Sequence, residues 1–157
     1  MKPKICVSLS SADPHELRRQ ARRAEALSAD LVEVRLDRLD DSQGISGIVE
    51  AVKIPLVATN RPVSEKGSFA GPENERLSLL MNAVEKGADY VDLESSTSNL
   101  DEVIKTFRKT SAKIILSHHD YSRTPKLSSL RSTLTKLQKK RSDICKIVTQ
   151  LGLQRIT

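Results

Sequence analysis

The sequence predicts an α/β fold of consecutive strand–helix units, and three observations point to it. Short apolar runs rich in β-branched residues recur along the chain. Amphipathic stretches, apolar at spacings of three and four, separate them. No linker, low-complexity tract or change of composition interrupts the alternation, so a single domain over 1–157 is expected. Consecutive βα units call for a parallel sheet with helices packed outside it. Two architectures fit, an open doubly wound sheet and a (β/α)8 barrel.

The strand runs are 4–10, 30–37, 54–61, 88–95, 113–119 and 143–150. The first helix opens with Asp13 as N-cap, Pro14 at the first helical position and Glu16 two residues on, a capping-box arrangement. Leu17, Ala21, Ala24 and Leu27 share one face, and Arg18, Arg19, Arg22 and Arg23 fall mostly outside it. The second helix is weak, with Gly44 and Gly47 near its start, yet Ile48, Val49 and Val52 keep the period. The third presents Leu77, Leu80, Met81 and Val84, with Gly87 as its C′ residue. Leu100, Val103, Ile104 and Phe107 mark the fourth; Leu127, Leu130, Leu134 and Leu137 mark the fifth. The strand starts at Lys4 and Asp143 give a repeat of about 28 residues, so a full eight-unit barrel would need about 220. As a barrel the chain is about two units short; as an open sheet it is complete.

Composition narrows the class. The chain has 157 residues, 38% hydrophobic and 29% charged, as in an ordinary globular domain. No run of 18 apolar residues occurs, so no transmembrane helix is expected. Met1-Lys2-Pro3 leads directly into Ile5-Cys6-Val7-Ser8-Leu9, too short and mixed for a signal peptide. Cys6 and Cys145 lie in apolar runs and read as buried free thiols of a cytoplasmic protein. The net charge of +6 suits an anionic partner. Two Tyr, two Phe and no Trp leave few stacking platforms for a single nucleic-acid strand.

The chemistry sits on the strands. Glu33, Arg35 and Asp37 alternate with Val32, Val34 and Leu36 and so share one face. Buried charge is costly unless it is paired or meets a ligand, so a structural network and a binding face are both open readings. The pattern recurs at the strand ends with Thr59 and Arg61, Asp92 and Glu94, and Ser117 and His119. Both candidate architectures place their active sites there. Lys146, inside Ile144-Cys145-Lys146-Ile147-Val148, is the sharpest case. Two readings are open: a lysine snorkelling at a strand end, or one in a low-dielectric site near Arg or His, with a lowered pKa and acting as a nucleophilic amine. His119 is the proton-transfer partner, while His118 is expected on the opposite face. No metal-ligand spacing or phosphate-binding glycine loop is present, so neither metal nor cofactor is expected.

These residues, in this order, resemble type I 3-dehydroquinate dehydratase. The resemblance runs through Glu33-Val34-Arg35-Leu36-Asp37, Thr59-Asn60-Arg61, Glu65-Lys66-Gly67 and Asp92-Leu93-Glu94. Its most specific segment is Ser117-His118-His119-Asp120-Tyr121-Ser122-Arg123-Thr124-Pro125, and Asp143-Ile144-Cys145-Lys146-Ile147 supplies the lysine. It covers the chain to about residue 150.

The resemblance implies a (β/α)8 TIM-type barrel of which about six units are present and the C-terminal two βα units are absent from this chain. It also implies a lyase of the shikimate pathway that dehydrates 3-dehydroquinate to 3-dehydroshikimate through a lysine imine. Lys146 would form the imine, His119 would move the proton and Glu65 would orient His119. Glu33, Arg35 and Arg61 would hold the anionic substrate. The family's later arginine, serine and glutamine have no counterpart that can be assigned, Arg155 being only a stand-in. The loop 63–71, polar and glycine-containing, is expected to move over the site. A homodimer is compatible with this reading; nucleic acid and membrane are not expected partners. The rival to an enzyme is a barrel fragment that binds ligand with little or no turnover.

Overall fold

The computed structural model describes residues 3–39 and 44–150. Its strands are β1 (Cys6–Leu9), β2 (Leu31–Arg35), β3 (Leu56–Thr59), β4 (Tyr90–Glu94), β5 (Lys113–Asp120) and β6 (Ile144–Thr149). The helices between them are α1 (Pro14–Ala26), α2 (Ile45–Val49), α3 (Glu73–Glu85), α4 (Leu100–Phe107) and α5 (Leu127–Lys139). Among the described residues, no helix is long and apolar enough to cross a membrane. Arg155 lies outside the described residues.

All neighbouring strands are parallel, and their order is β1-β2-β3-β4-β5-β6. A doubly wound sheet reverses its strand order to cover both faces. Here the order never reverses, so the helices lie on one face, and the choice left open by the sequence falls to the barrel type. The sheet also curls. Strands β2 and β6 are four positions apart, roughly 19 Å in a flat sheet. Yet Lys146 on β6 reaches Glu33 on β2 at 3.2 Å across the uncovered face.

The core lies between sheet and helices. Alternate strand residues Leu9, Val32, Val34, Leu56, Ala58, Val91, Leu93, Ile114 and Leu116 are buried there. Against them pack Leu17, Ala21 and Ala24 of α1, Ile45 and Ile48 of α2, Leu80, Ala83 and Val84 of α3, and Leu100, Ile104 and Phe107 of α4. Asp13 caps α1 by accepting the His15 N–H at 2.8 Å. The reciprocal half of the capping box is absent. The Asp13 N–H donates to Ser11 Oγ, and Glu16 is taken up by Gln20 and Arg19. Gly87 ends α3 with φ of 103°, as its C′ position requires.

Three expectations change. The buried stripe of α3 passes through Arg76, Leu80, Ala83 and Val84, and Leu77 is only half-buried. On α5 only Leu137 is buried; Leu127 and Leu134 are exposed, as are Ile144 and Val148 on β6. Cys6 is exposed and Cys145 half-buried, so neither is the fully buried thiol expected. The last two share a cause: β1 and β6 end the strand order among the described residues, so residues there are covered from one side only.

Candidate active site

The uncovered face collects the polar residues. Strand register places Glu33 and Arg35 of β2, Thr59 of β3, Asp92 and Glu94 of β4, Ser117 and His119 of β5 and Lys146 of β6 on this one side. Arg35, Thr59, Glu94 and His119 stand at the C-terminal strand ends, where (β/α) barrels carry their sites, with Glu33, Asp92, Ser117 and Lys146 one layer deeper. His118 points the other way, within 3.2 Å of Ser95 Oγ, as the alternation predicts.

Lys146 is held between two carboxylates. Its Nζ donates to Asp92 Oδ2 at 2.9 Å and to Glu33 Oε1 at 3.2 Å. Glu33 also accepts the Thr59 hydroxyl at 2.7 Å. Burial works to lower the Lys146 pKa, but Asp92 and Glu33 outweigh it and hold the ammonium above the usual lysine value. The expected lowering is therefore reversed. Sequence alone places no carboxylate beside Lys146, because both come from strands far away in the chain. Burial pushes the other way on Asp92 and Glu33, yet the Lys146 charge helps hold both below the usual carboxylate range.

Arg61 is nearly buried and has three acceptors. Nη1 donates to Glu94 Oε1 at 2.7 Å and to Ser117 Oγ at 3.1 Å, and Nη2 lies 3.2 Å from Asp92 Oδ1. Ser117 in turn donates to Asp92 Oδ1 at 2.6 Å. Burial pushes the Glu94 carboxyl up to about 7, against the pull of Arg76 and Arg61. Arg35 forms a two-pronged pair with Asp37 at 2.7 and 2.6 Å.

His119 is positioned by the loop between β3 and α3. Its Nδ1 lies 2.8 Å from Glu65 Oε2. Ser96 Oγ donates to the other Glu65 oxygen, and Tyr121, stacked on the imidazole at 5.4 Å, donates to the Glu65 carbonyl at 2.6 Å. Burial, helped by Arg61, lowers the His119 pKa below 6.5 while Glu65 resists. With Glu65 accepting from Nδ1–H, the neutral ring leaves Nε2 free as a base.

The loop expected to move is tied down. Phe69 N–H donates to the Arg61 carbonyl, Gly67 N–H to the Pro62 carbonyl and Ser68 N–H to Asp37. Gly67 passes so close to the Arg61 carbonyl that a Cβ would sit 1.9 Å from its oxygen.

Of the six residues expected at the site, Glu33, Lys146 and Arg61 are linked in that order with Asp92 between the last two, His119 pairs with Glu65 of the loop after β3, and Arg35 pairs with Asp37. Sequence reasoning missed Arg76, which is fully buried and reaches Glu94. Its pairing with Glu73 at i, i+3 looks like an ordinary surface ion pair. It also missed Ser96 behind Glu65.

Fold and site together define a protein of the (β/α) barrel class with a lysine, an imidazole and paired carboxylates at the strand ends. A family model of type I 3-dehydroquinase matches residues 5–151. The 3-dehydroquinate dehydratase of Desulfotalea psychrophila is 38% identical over 149 residues, covering 93% of this chain and 64% of that protein. The structure of the Enterococcus faecalis 3-dehydroquinate dehydratase aligns with a TM-score of 0.82 at 31% identity, covering 94% of this chain and 66% of that one. A type I 3-dehydroquinate dehydratase from Clostridium difficile, solved with covalent modified comenic acid, aligns with a TM-score of 0.84 at 26% identity over 96% and 64% of the two chains. The chain belongs to the type I 3-dehydroquinase family and carries a partial TIM-barrel fold. It spans slightly less than two thirds of the length of these relatives.

Proposed function

We propose that this chain carries the reacting part of a 3-dehydroquinate dehydratase site, working through a lysine imine. The observation that carries the reading is Lys146, gripped by Asp92 and Glu33, on the strand next to the His119–Glu65 pair. The ammonium is protonated at rest, so imine formation begins with loss of a proton to a neighbouring base. The free amine attacks the substrate ketone, and loss of water gives the iminium, which draws electrons from the adjacent carbon. His119, neutral and with Nε2 free, takes the proton beside the iminium and then returns it to the departing hydroxyl. A second water hydrolyses the imine and releases 3-dehydroshikimate. Arg35, Arg61 and Glu33 bind the carboxylate and hydroxyls of the substrate. On this reading residues 1–157 belong to one (β/α) barrel domain. A cytoplasmic setting and a possible homodimer accompany it.

A second reading is favoured by one observation. Among the described residues the Lys146 side chain is 33% exposed, so water reaches the amine. A site open in this way binds a ketone with little turnover. Borohydride reduction in the presence of 3-dehydroquinate, followed by mass mapping, tests both. A substrate-dependent adduct on Lys146, lost in Lys146→Ala, supports imine chemistry. Ligand binding without an adduct supports the binding module and rejects the imine.

A further inference from the structure

The buried ion network does not end at the reacting residues. Arg76, on the side of α3 that faces the sheet, is 1% exposed. Its Nη1 donates to Glu94 Oε2 at 2.6 Å and to the Asn60 carbonyl at 3.1 Å. Its Nε and Nη2 hold Glu73 at 2.7 and 2.9 Å, and Nη2 also reaches Thr97 Oγ1 at 3.2 Å. Glu94 is therefore divided: Arg76 takes Oε2, and Arg61 takes Oε1 at 2.7 Å.

The division matters because guanidinium and carboxylate prefer to pair two-pronged. With both Glu94 oxygens free, Arg61 would turn its fork fully onto Glu94. With Oε2 occupied, Arg61 keeps only Nη1 on Glu94 and leaves Nη2 for Asp92 at 3.2 Å. Asp92 is the carboxylate that also holds Lys146. We propose that Arg76 is a positioning residue: by occupying one oxygen of Glu94, it keeps Arg61 stretched between Glu94 and Asp92 and so fixes the anion-binding guanidinium beside Lys146. Arg76 touches no reacting atom and acts through Glu94. The functional meaning of this rests on the substrate-binding role proposed for Arg61.

The substitution that tests it is Arg76→Met, which keeps the length and removes the donors. Nitrogen-15 NMR of the arginine guanidinium groups reads Arg61 directly, with Arg61→Lys assigning its signal. In the unsubstituted chain the two Arg61 Nη environments are distinct. In Arg76→Met they converge toward a symmetric pair on Glu94, and Arg76→Lys gives an intermediate pattern. In the Lys146→Ala background, where no turnover intervenes, the Kd for 3-dehydroquinate rises about tenfold on Arg76→Met, a modest misplacement of a binding group. Adding Glu94→Gln to Arg76→Met causes no further loss, because both act along one path. A folded Arg76→Met chain with unchanged Arg61 signals overturns the proposal. Should Arg76→Met fail to fold, Arg76→Lys decides it, and unchanged Arg61 signals there overturn it equally. The NMR measurement needs no substrate, so failed borohydride trapping removes the imine reading and leaves this result to stand or fall alone.

Discussion

Replacing Glu65 by Gln tests how the imidazole is prepared as a base. The Glu65 carboxylate lies 2.8 Å from His119 Nδ1, with side-chain exposures of only 14% and 5%, so solvent screens the pair little. A hydrogen bond to a charged group contributes about 1.5–3 kcal/mol, against about 0.5–1.5 for a neutral one. The excess of about 1.4 kcal/mol corresponds to about one pKa unit. Glu65 raises the His119 pKa against burial and Arg61, so Glu65→Gln lowers it further, by about one unit. The glutamine oxygen still accepts from His119 Nδ1–H and its amide NH2 can donate to Ser96 Oγ, so the loop stays in place. The three imidazoles of the chain make the assay clean: long-range proton–nitrogen NMR follows His119 while His15 and His118 serve as internal controls. The sign also fixes a stability effect. A folded pKa below 6.5 means the unfolded chain binds more protons just under that pH. Stability is therefore full above about pH 6.5 and falls as pH drops toward the folded pKa. Glu65→Gln extends that fall to lower pH. A His119 pKa that rises or stays put in Glu65→Gln, with the two controls unmoved, refutes the assignment of Glu65 as its partner.

Three further outcomes are expected. Gly67→Ala forces a Cβ into the Arg61 carbonyl, so the loop shifts and the His119 pKa moves in the same direction as in Glu65→Gln; an unchanged titration would show that the close approach does not hold the loop. Phe107→Ala empties a site 2% exposed in the helix–sheet layer and costs about 3–5 kcal/mol in urea unfolding, whereas a loss below 1 kcal/mol would place Phe107 outside the core. Asp92, Asp37 and Glu33 all have folded pKa values below their ordinary 3.8, 3.8 and 4.5, so the stability they contribute is complete above about pH 5 and is lost as pH falls through and below that range. Urea midpoints at pH 7, 5 and 3 check the trend; equal midpoints at 5 and 3 contradict it.

Much of the layout was legible because it rests on periodicity. Alternation fixed which strand residues face the helices, and it separated His118 from His119. Capping chemistry placed the start of α1 at Asp13, and the left-handed position at Gly87 marked the end of α3. What remained hidden depends on distances between strands. Whether the sheet is barrel-like or doubly wound is decided by strand order, which leaves no local trace. The raised pKa of Lys146 needs Asp92 and Glu33, 54 and 113 residues away in the chain. Arg76 stayed invisible because a Glu73–Arg76 pair at helical spacing looks the same in solvent and in the interior. The exposure of Leu127 and Leu134 on α5 and of Cys6 on β1 stays hidden because sequence alone does not show that these elements lie at the ends of the strand order.

The strict alternation along each strand has a consequence for how this chain can change. Residues such as Val91 and Leu93 anchor the fold, while Asp92 and Glu94, interleaved with them, stand on the polar face. The apolar layer and the polar face draw on different side chains, although they share a backbone. Substitutions on the polar set can therefore alter that face while the hydrophobic layer keeps its shape, and drift in the apolar set can repack the layer without moving the polar groups. A sheet packed on one face and polar on the other is thus a scaffold whose polar face can be varied at modest risk to folding.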